Sequence, residues 1–168
     1  MLTVHHLENS RSHRILWLLE ELGLDYEIDR YERDPETMRA PDALREVHPL
    51  GKSPVITDGD RTVAESAAVI EYVLDEHGEG QLRPEEGTDE YLQYRYWMHY
   101  AEGSAMPPLL MKLVFGELPE RAPWLLRPVV GKISEMVESE YLDPEIATHL
   151  EFWESELEGR PYFAGDSF

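Results

Sequence analysis

Residues Leu2–Leu7 read as a short strand, after which the apolar spacing changes: Ile15, Leu18, Leu19 and Leu22 fall at i, i+3, i+4 and i+7. That spacing predicts an amphipathic helix, which Gly23 stops. Tyr26–Tyr31 alternates as a second strand, so the chain opens with a β-α-β unit whose crossover needs a parallel pair. Residues 33–41 are polar and predict a loop, and a short helix is expected over 42–47. Val55-Ile56-Thr57 and Arg61-Thr62-Val63-Ala64 flank Asp58-Gly59-Asp60, the pattern of a hairpin. Ser66 then reads as an N-cap, with Val69, Ile70, Val73 and Leu74 as the buried stripe of the following helix.

The stretch GEGQLRPEEGT at 78–88 has no periodicity and is rich in Gly and charge, as a linker is. It divides a domain at 1–78 from an all-helical domain at 89–168, with the linker proper at 79–88. In the second domain one long helical segment runs from Asp89 to about Phe115, with a break or kink expected at Pro107-Pro108. A further helix is predicted over 123–139. Asp143-Pro144 reads as an N-cap followed by proline at the first helical position, and Ile146, Leu150, Trp153 and Leu157 carry the apolar face to a stop at Gly159.

Composition narrows the chemistry. There is no cysteine, which excludes disulfides, thiolate-ligated zinc and a cysteine nucleophile. The 35 acidic residues against 15 basic ones give a formal charge of −20, which argues against nucleic acid as a partner, since phosphates would be repelled. Such a surface serves solubility, or adaptation to a salt-rich cytoplasm in which screening softens carboxylate repulsion. No apolar run approaches about 18 residues, so no membrane partner is expected. Nothing after Met1 resembles a secretory signal, and the expected compartment is the cytoplasm. The seven histidines, His5-His6 on the first strand among them, show no metal-ligand spacing, and no metal is expected.

Four strings in order resemble the glutathione S-transferases: ENSRSHRILWLLEELGLDYE at 8–27, HPLGKSPVI at 48–56, VAESAAVIEYV at 63–73 and YWMHYAEGSAMPPLL at 96–110. The last is similar to the helical domain of the bacterial and fungal cytosolic enzymes. The resemblance implies a thioredoxin-like α/β domain followed by an all-α domain, glutathione as co-substrate, no metal, and a homodimer. The implied activity is conjugation of the glutathione thiolate to a hydrophobic electrophile, or glutathione-dependent reduction of a peroxide or disulfide. The competing reading is a non-catalytic relative that binds ligands or proteins through the same fold.

Carried onto this chain, the resemblance implies a cis peptide before Pro54, with the Ser53 backbone pairing with glutathione as an added strand would. It assigns Ser66, at a helix N-terminus suited to a carboxylate, and Glu65 to the two charges of the γ-glutamyl group. Lys52 faces the glycyl carboxylate on this reading, and would lack a partner if γ-glutamylcysteine were the thiol; a solvated lysine is its plain alternative. The thiol-activating group is Ser10 first, Asn9 second, with Ser12 nearer the helix; both serines also suit a helix cap. His99, Tyr100, Glu102 and Ser104 lie on the helix that walls the electrophile pocket in the family, and Tyr100 is the candidate donor to a developing anion. The family continues beyond the string RPYFAGDSF with a capping box and a central helix, so either a natively truncated protein or, preferably, an incomplete chain is expected, with Leu150 and Trp153 left in an apolar patch.

Overall fold

The computed structural model of the protein describes residues 1–165, so the last three positions of the expected 89–168 domain lie outside the described residues. The chain divides into two compact units, Met1–Arg83 and Pro84–Phe168.

In the first unit the elements are β1 (Leu2–Leu7), α1 (Ser12–Glu21), β2 (Tyr26–Tyr31), α2 (Ala43–Val47), β3 (Val55–Asp58), β4 (Arg61–Ala64) and α3 (Ser66–His77). They build a four-stranded sheet in the order β2-β1-β3-β4. The crossover through α1 makes β1 and β2 parallel, and the two remaining pairs are antiparallel. Gly59 takes φ 57 at the hairpin tip, and Gly23 takes φ 64 just past α1, both left-handed positions that a Cβ disfavours.

Strand alternation sorts the two faces. Leu2 and Val4 of β1 and Ile56 of β3 are sealed against Ile15 and Leu19 of α1 and Val69 and Val73 of α3. His6 has the same parity as Val4, so its side chain emerges on the helix side, at the end of the strand. His5 emerges on the other side, where its ring nitrogens lie 3.0 Å from the Tyr31 hydroxyl and 3.2 Å from Thr57 Oγ1. Burial holds its pKa below the ordinary histidine value, the nearby Asp29 carboxylate opposing.

The far end of α3 is tied to the hairpin by one carboxylate. Asp58 Oδ2 lies 2.7 Å from His77 Nε2 and accepts from the Tyr72 hydroxyl at 3.0 Å. The His77 bond is the main reason that the Asp58 carboxyl sits below its usual range.

In the second unit α4 (Asp89–Tyr100) starts at Thr88, whose Oγ1 accepts from the Tyr91 N–H at 3.2 Å. Of the break or kink expected at Pro107-Pro108, the break does not occur. A π-helical turn at Ala101–Ala105 carries α4 directly into α5 (Met106–Arg121), six residues beyond the expected end. The second expected break is absent too: α6 (Arg127–Val137) passes through a π-helical turn at Glu138–Leu142 into α7 (Asp143–Leu157). Asp143 therefore caps nothing; it ion-pairs with Lys112 of α5. The reason is common to both places: a wide turn just before proline moves the bonding pattern past residues that have no N–H to donate. Leu150 is exposed, as expected, whereas Trp153 is half-buried and its indole N–H donates to the Tyr100 hydroxyl at 3.1 Å. No helix among the described residues is long and apolar enough to cross a membrane.

Because the folded-state pKa of Asp58 is depressed, its contribution is present above the unfolded carboxylate pKa and is lost as pH falls through the folded one. Urea titrations at several pH values should show Asp58→Asn losing about 1 kcal/mol at neutral pH and less as the acid limb is descended. A pH-independent deficit would contradict this role for the ionised carboxylate.

Candidate functional site

Sheet register gathers the candidate residues at one end of the first unit. His5 of β1 pairs with Val55, and Val55 pairs with Ala64. One step further on each strand lie Pro54 and Glu65, and next to them Ser53 and Ser66. The turn after β1 carries Asn9 and Ser10 to the same end, since Ser10 Oγ is 3.3 Å from Ser53 Oγ.

The peptide bond between Ser53 and Pro54 is cis, and Pro54 is buried. Ser53 Oγ donates to the His5 carbonyl at 2.9 Å and accepts from the Leu7 N–H at 3.4 Å, extending the β1-β3 seam through a side chain. Among the described residues the main-chain N–H and C=O of Ser53 take no main-chain partner.

Ser66 does not cap α3. It is the first helical residue, the cap position is Glu65, and no side-chain cap bond forms. Ser66, 5% exposed, thus has its hydroxyl beside the helix end rather than consumed by it. The first bond from the cap position is Val69 N–H to the Glu65 carbonyl at 2.9 Å, so the N–H groups of Ser66, Ala67 and Ala68 are the free donors of a helix N-terminus. Glu65 is exposed and stands at φ 76, ψ 132, a conformation that costs a non-glycine residue on the order of 1–3 kcal/mol.

At the start of α1 the two serines differ. Ser12 is fully buried and its Oγ is 2.7 Å from His6 Nδ1. Ser10 is half-buried, its Oγ lies 2.8 Å from Ser12 Oγ, and it accepts from the Ser12 N–H at 3.3 Å. The cap position of α1 is Arg11, which makes no side-chain cap bond. Asn9 is exposed at φ 50, and Lys52 is exposed. Arg33, in the stretch that reads only as a polar loop, holds the turn: Nε donates to the Glu8 carbonyl at 2.9 Å and Nη2 to the Asn9 carbonyl at 3.2 Å. Neither Arg33 nor His6 emerged as a site residue from the sequence. The parity of His6 with Leu2 and Val4 was a legible signal, whereas Arg33 carried none.

In the second unit His99, Tyr100 and Ser104 line one open cavity of about 900 Å³, together with Pro107, Pro108 and Met111. The Tyr100 hydroxyl accepts from Trp153 and shares a hydrogen bond with His149 Nδ1. Burial raises its pKa above the ordinary tyrosine value. Tied to Trp153 and His149 of α7, Tyr100 forms part of the cavity wall. Glu102 is absent from that lining. Among the described residues no group of three or more His, Asp or Glu side chains is placed to hold a metal ion.

Against known proteins, the family described as glutathione S-transferase, N-terminal domain, matches residues 10–76. Glutathione S-transferase 3 of Schizosaccharomyces pombe is 38% identical over 168 residues, covering all of this chain and 69% of that protein. The chain belongs to the glutathione S-transferase family. Glutathione S-transferase 1 of Saccharomyces cerevisiae is 33% identical over 164 residues, covering 94% of this chain and 70% of its own length. A crystal structure of a glutathione S-transferase from Actinobacillus pleuropneumoniae superposes with a TM-score of 0.79 at 34% identity, over all of this chain and 71% of that one. The thioredoxin-like first unit and the helical second unit are the family's architecture, and the chain is a glutathione transferase.

The backbone of Glu65 supplies a test of whether its conformation is held for a purpose other than folding. Glu65→Gly relieves the positive φ and should raise stability by about 1 kcal/mol, read as a higher urea midpoint. A lowered midpoint would show that the Glu65 side chain supports the fold.

Proposed function

We propose that glutathione binds across the end of the β1-β3-β4 sheet, and that its thiol ionises beside Ser10 to attack a hydrophobic electrophile. The observation that carries this reading is the 3.3 Å approach of Ser10 Oγ to Ser53 Oγ, which sets a hydroxyl donor beside an unpaired main-chain edge. An extended tripeptide pairs with that edge through its cysteinyl residue. Its γ-glutamyl carboxylate then meets the free N–H groups and the Ser66 hydroxyl at the α3 N-terminus, and its ammonium meets Glu65. On this reading Lys52 meets the glycyl carboxylate as a point charge.

Ser10 is preferred to Asn9 as the activating group because its hydroxyl belongs to the hydrogen-bonded site, whereas Asn9 stands exposed on the turn. A thiolate is stabilised there by the Ser10 hydroxyl and by the nearby start of α1. The sulfur then forms a bond to the electrophilic carbon while the leaving group departs with its electron pair. With no cysteine in the chain, no mixed disulfide with the protein competes. Conjugation suits the second unit, whose roomy cavity beside His99, Tyr100 and Ser104 has the size and apolar character of small-molecule sites; a peroxide needs no such space.

Titration calorimetry on Glu65→Gln should show glutathione affinity reduced about tenfold or more, as expected for a lost charge-assisted contact. Ser10→Ala should keep most of the affinity and lose kcat by roughly 10-fold to 100-fold. Unchanged binding in Glu65→Gln would mean that the γ-glutamyl group is held elsewhere.

A further inference from the structure

The hydroxyl that the proposed function places against the sulfur does not stand alone. Ser10 Oγ, Ser12 Oγ and His6 Nδ1 form an unbroken line with spacings of 2.8 and 2.7 Å, running from the site back under α1. Ser12 is fully buried within it, and His6 closes it from the end of β1. Ser53, on the other side of Ser10, has its proton committed to the His5 carbonyl and is left only to accept. Ser10 thus has two hydroxyl acceptors for its one proton, Ser53 at 3.3 Å and Ser12 at 2.8 Å, and the shorter approach to Ser12 favours the line to His6.

Resting on the reading that Ser10 meets the glutathione sulfur, we infer that His6 is a positioning residue for thiol ionisation, acting through the Ser12 and Ser10 hydroxyls. In the starting arrangement His6 carries its proton on Nε2 and accepts at Nδ1 from Ser12; Ser12 accepts from Ser10, and Ser10 from the S–H. Ionisation moves each of three protons one place: sulfur to Ser10, Ser10 to Ser12, Ser12 to His6 Nδ1. No heavy atom moves, and charge is conserved as thiolate and imidazolium, the latter returning its Nε2 proton to water. Afterwards every donor in the line points toward the sulfur, so the relay both removes the proton and leaves the hydroxyl oriented to stabilise the anion.

The surroundings suit a ring that takes up a proton only in passing. Burial is the main cause keeping the His6 pKa below the ordinary histidine value; His13, edge-on at 4.9 Å, and Arg30 of β2 act in the same direction, with Glu8 opposing. Burial, His13 and Arg30 all favour the neutral ring, the form that is able to accept. Ser12 at a buried helix start is otherwise an odd choice, because it caps nothing.

The test is a pH titration of the ultraviolet absorbance of the thiolate in the glutathione complex of the full chain, with binding of S-methylglutathione as a check on the folded site. His6→Phe, which keeps an aromatic ring but no nitrogen, should raise the bound thiol's pKa by about one unit and lower kcat/KM roughly tenfold at neutral pH, with S-methylglutathione binding unchanged. His6→Asn restores a donor near the Nδ1 position and should recover most of the thiolate, while Ser12→Ala should match His6→Phe, and the double variant should add little to either. If Ser10→Ala raises the thiol pKa and neither His6→Phe nor Ser12→Ala does, the relay is wrong. If none of the three moves it, the Ser10 assignment beneath the relay falls as well.

Discussion

The structure depends first on the burial of α1 and α3 against one face of the β1-β3 pair. Ile15, Leu19, Val69 and Val73 are closed over Leu2, Val4 and Ile56 with no solvent access to the helix residues. Each such side chain is worth about 1.5–3 kcal/mol of burial, and the set fixes where both helices start. Four residues separate β1 from α1, and Glu65 alone separates β4 from α3. Two helix N-termini, that of α3 with its first N–H groups unpaired, are thereby delivered to the same end of one sheet. In the proposed site a thiol and a carboxylate separated by the length of a γ-glutamyl group would find complementary dipoles there without any positively charged cluster.

That economy matters in a chain of formal charge −20. An anionic tripeptide is repelled at long range by the whole surface, so its capture at the proposed site would rest on short-range donors: helix N–H groups, hydroxyls and one exposed lysine. The same constraint explains why hydroxyls and a neutral imidazole, rather than a cationic group, line the position assigned to the sulfur. Their effect depends on orientation, and orientation is what the Ser53, Ser10, Ser12 and His6 bonds impose.

Much of this fold was legible because its signals are local. The change from period 2 to period 3.6 at Ile15, the Gly23 stop and the hairpin around Gly59 each follow from a few adjacent residues. The helical unit was harder. Pro107-Pro108 and Pro144 are strong breakers in isolation, and the π-helical turns that carry the chain past them are sustained by packing that no short window contains. The candidate site was read in pieces. Ser53, Glu65 and Ser66 stand together as expected from the register, yet Ser66 proved to be the first helical residue rather than the cap, because Glu65 takes the positive φ. His6 and Arg33 went unassigned: one is hydrogen-bonded to a buried serine, and the other grips main-chain carbonyls that have no sequence signature.

The central claim is that the sheet end formed by Ser53, Ser66 and Ser10 is the glutathione site. A crystal structure of the protein grown with glutathione tests it most directly. The account predicts the γ-glutamyl carboxylate on the N–H groups at the start of α3, the cysteinyl backbone paired with Ser53, and the sulfur within hydrogen-bond distance of Ser10 Oγ. Glutathione bound with its sulfur against Asn9, or away from the α3 N-terminus altogether, would contradict it.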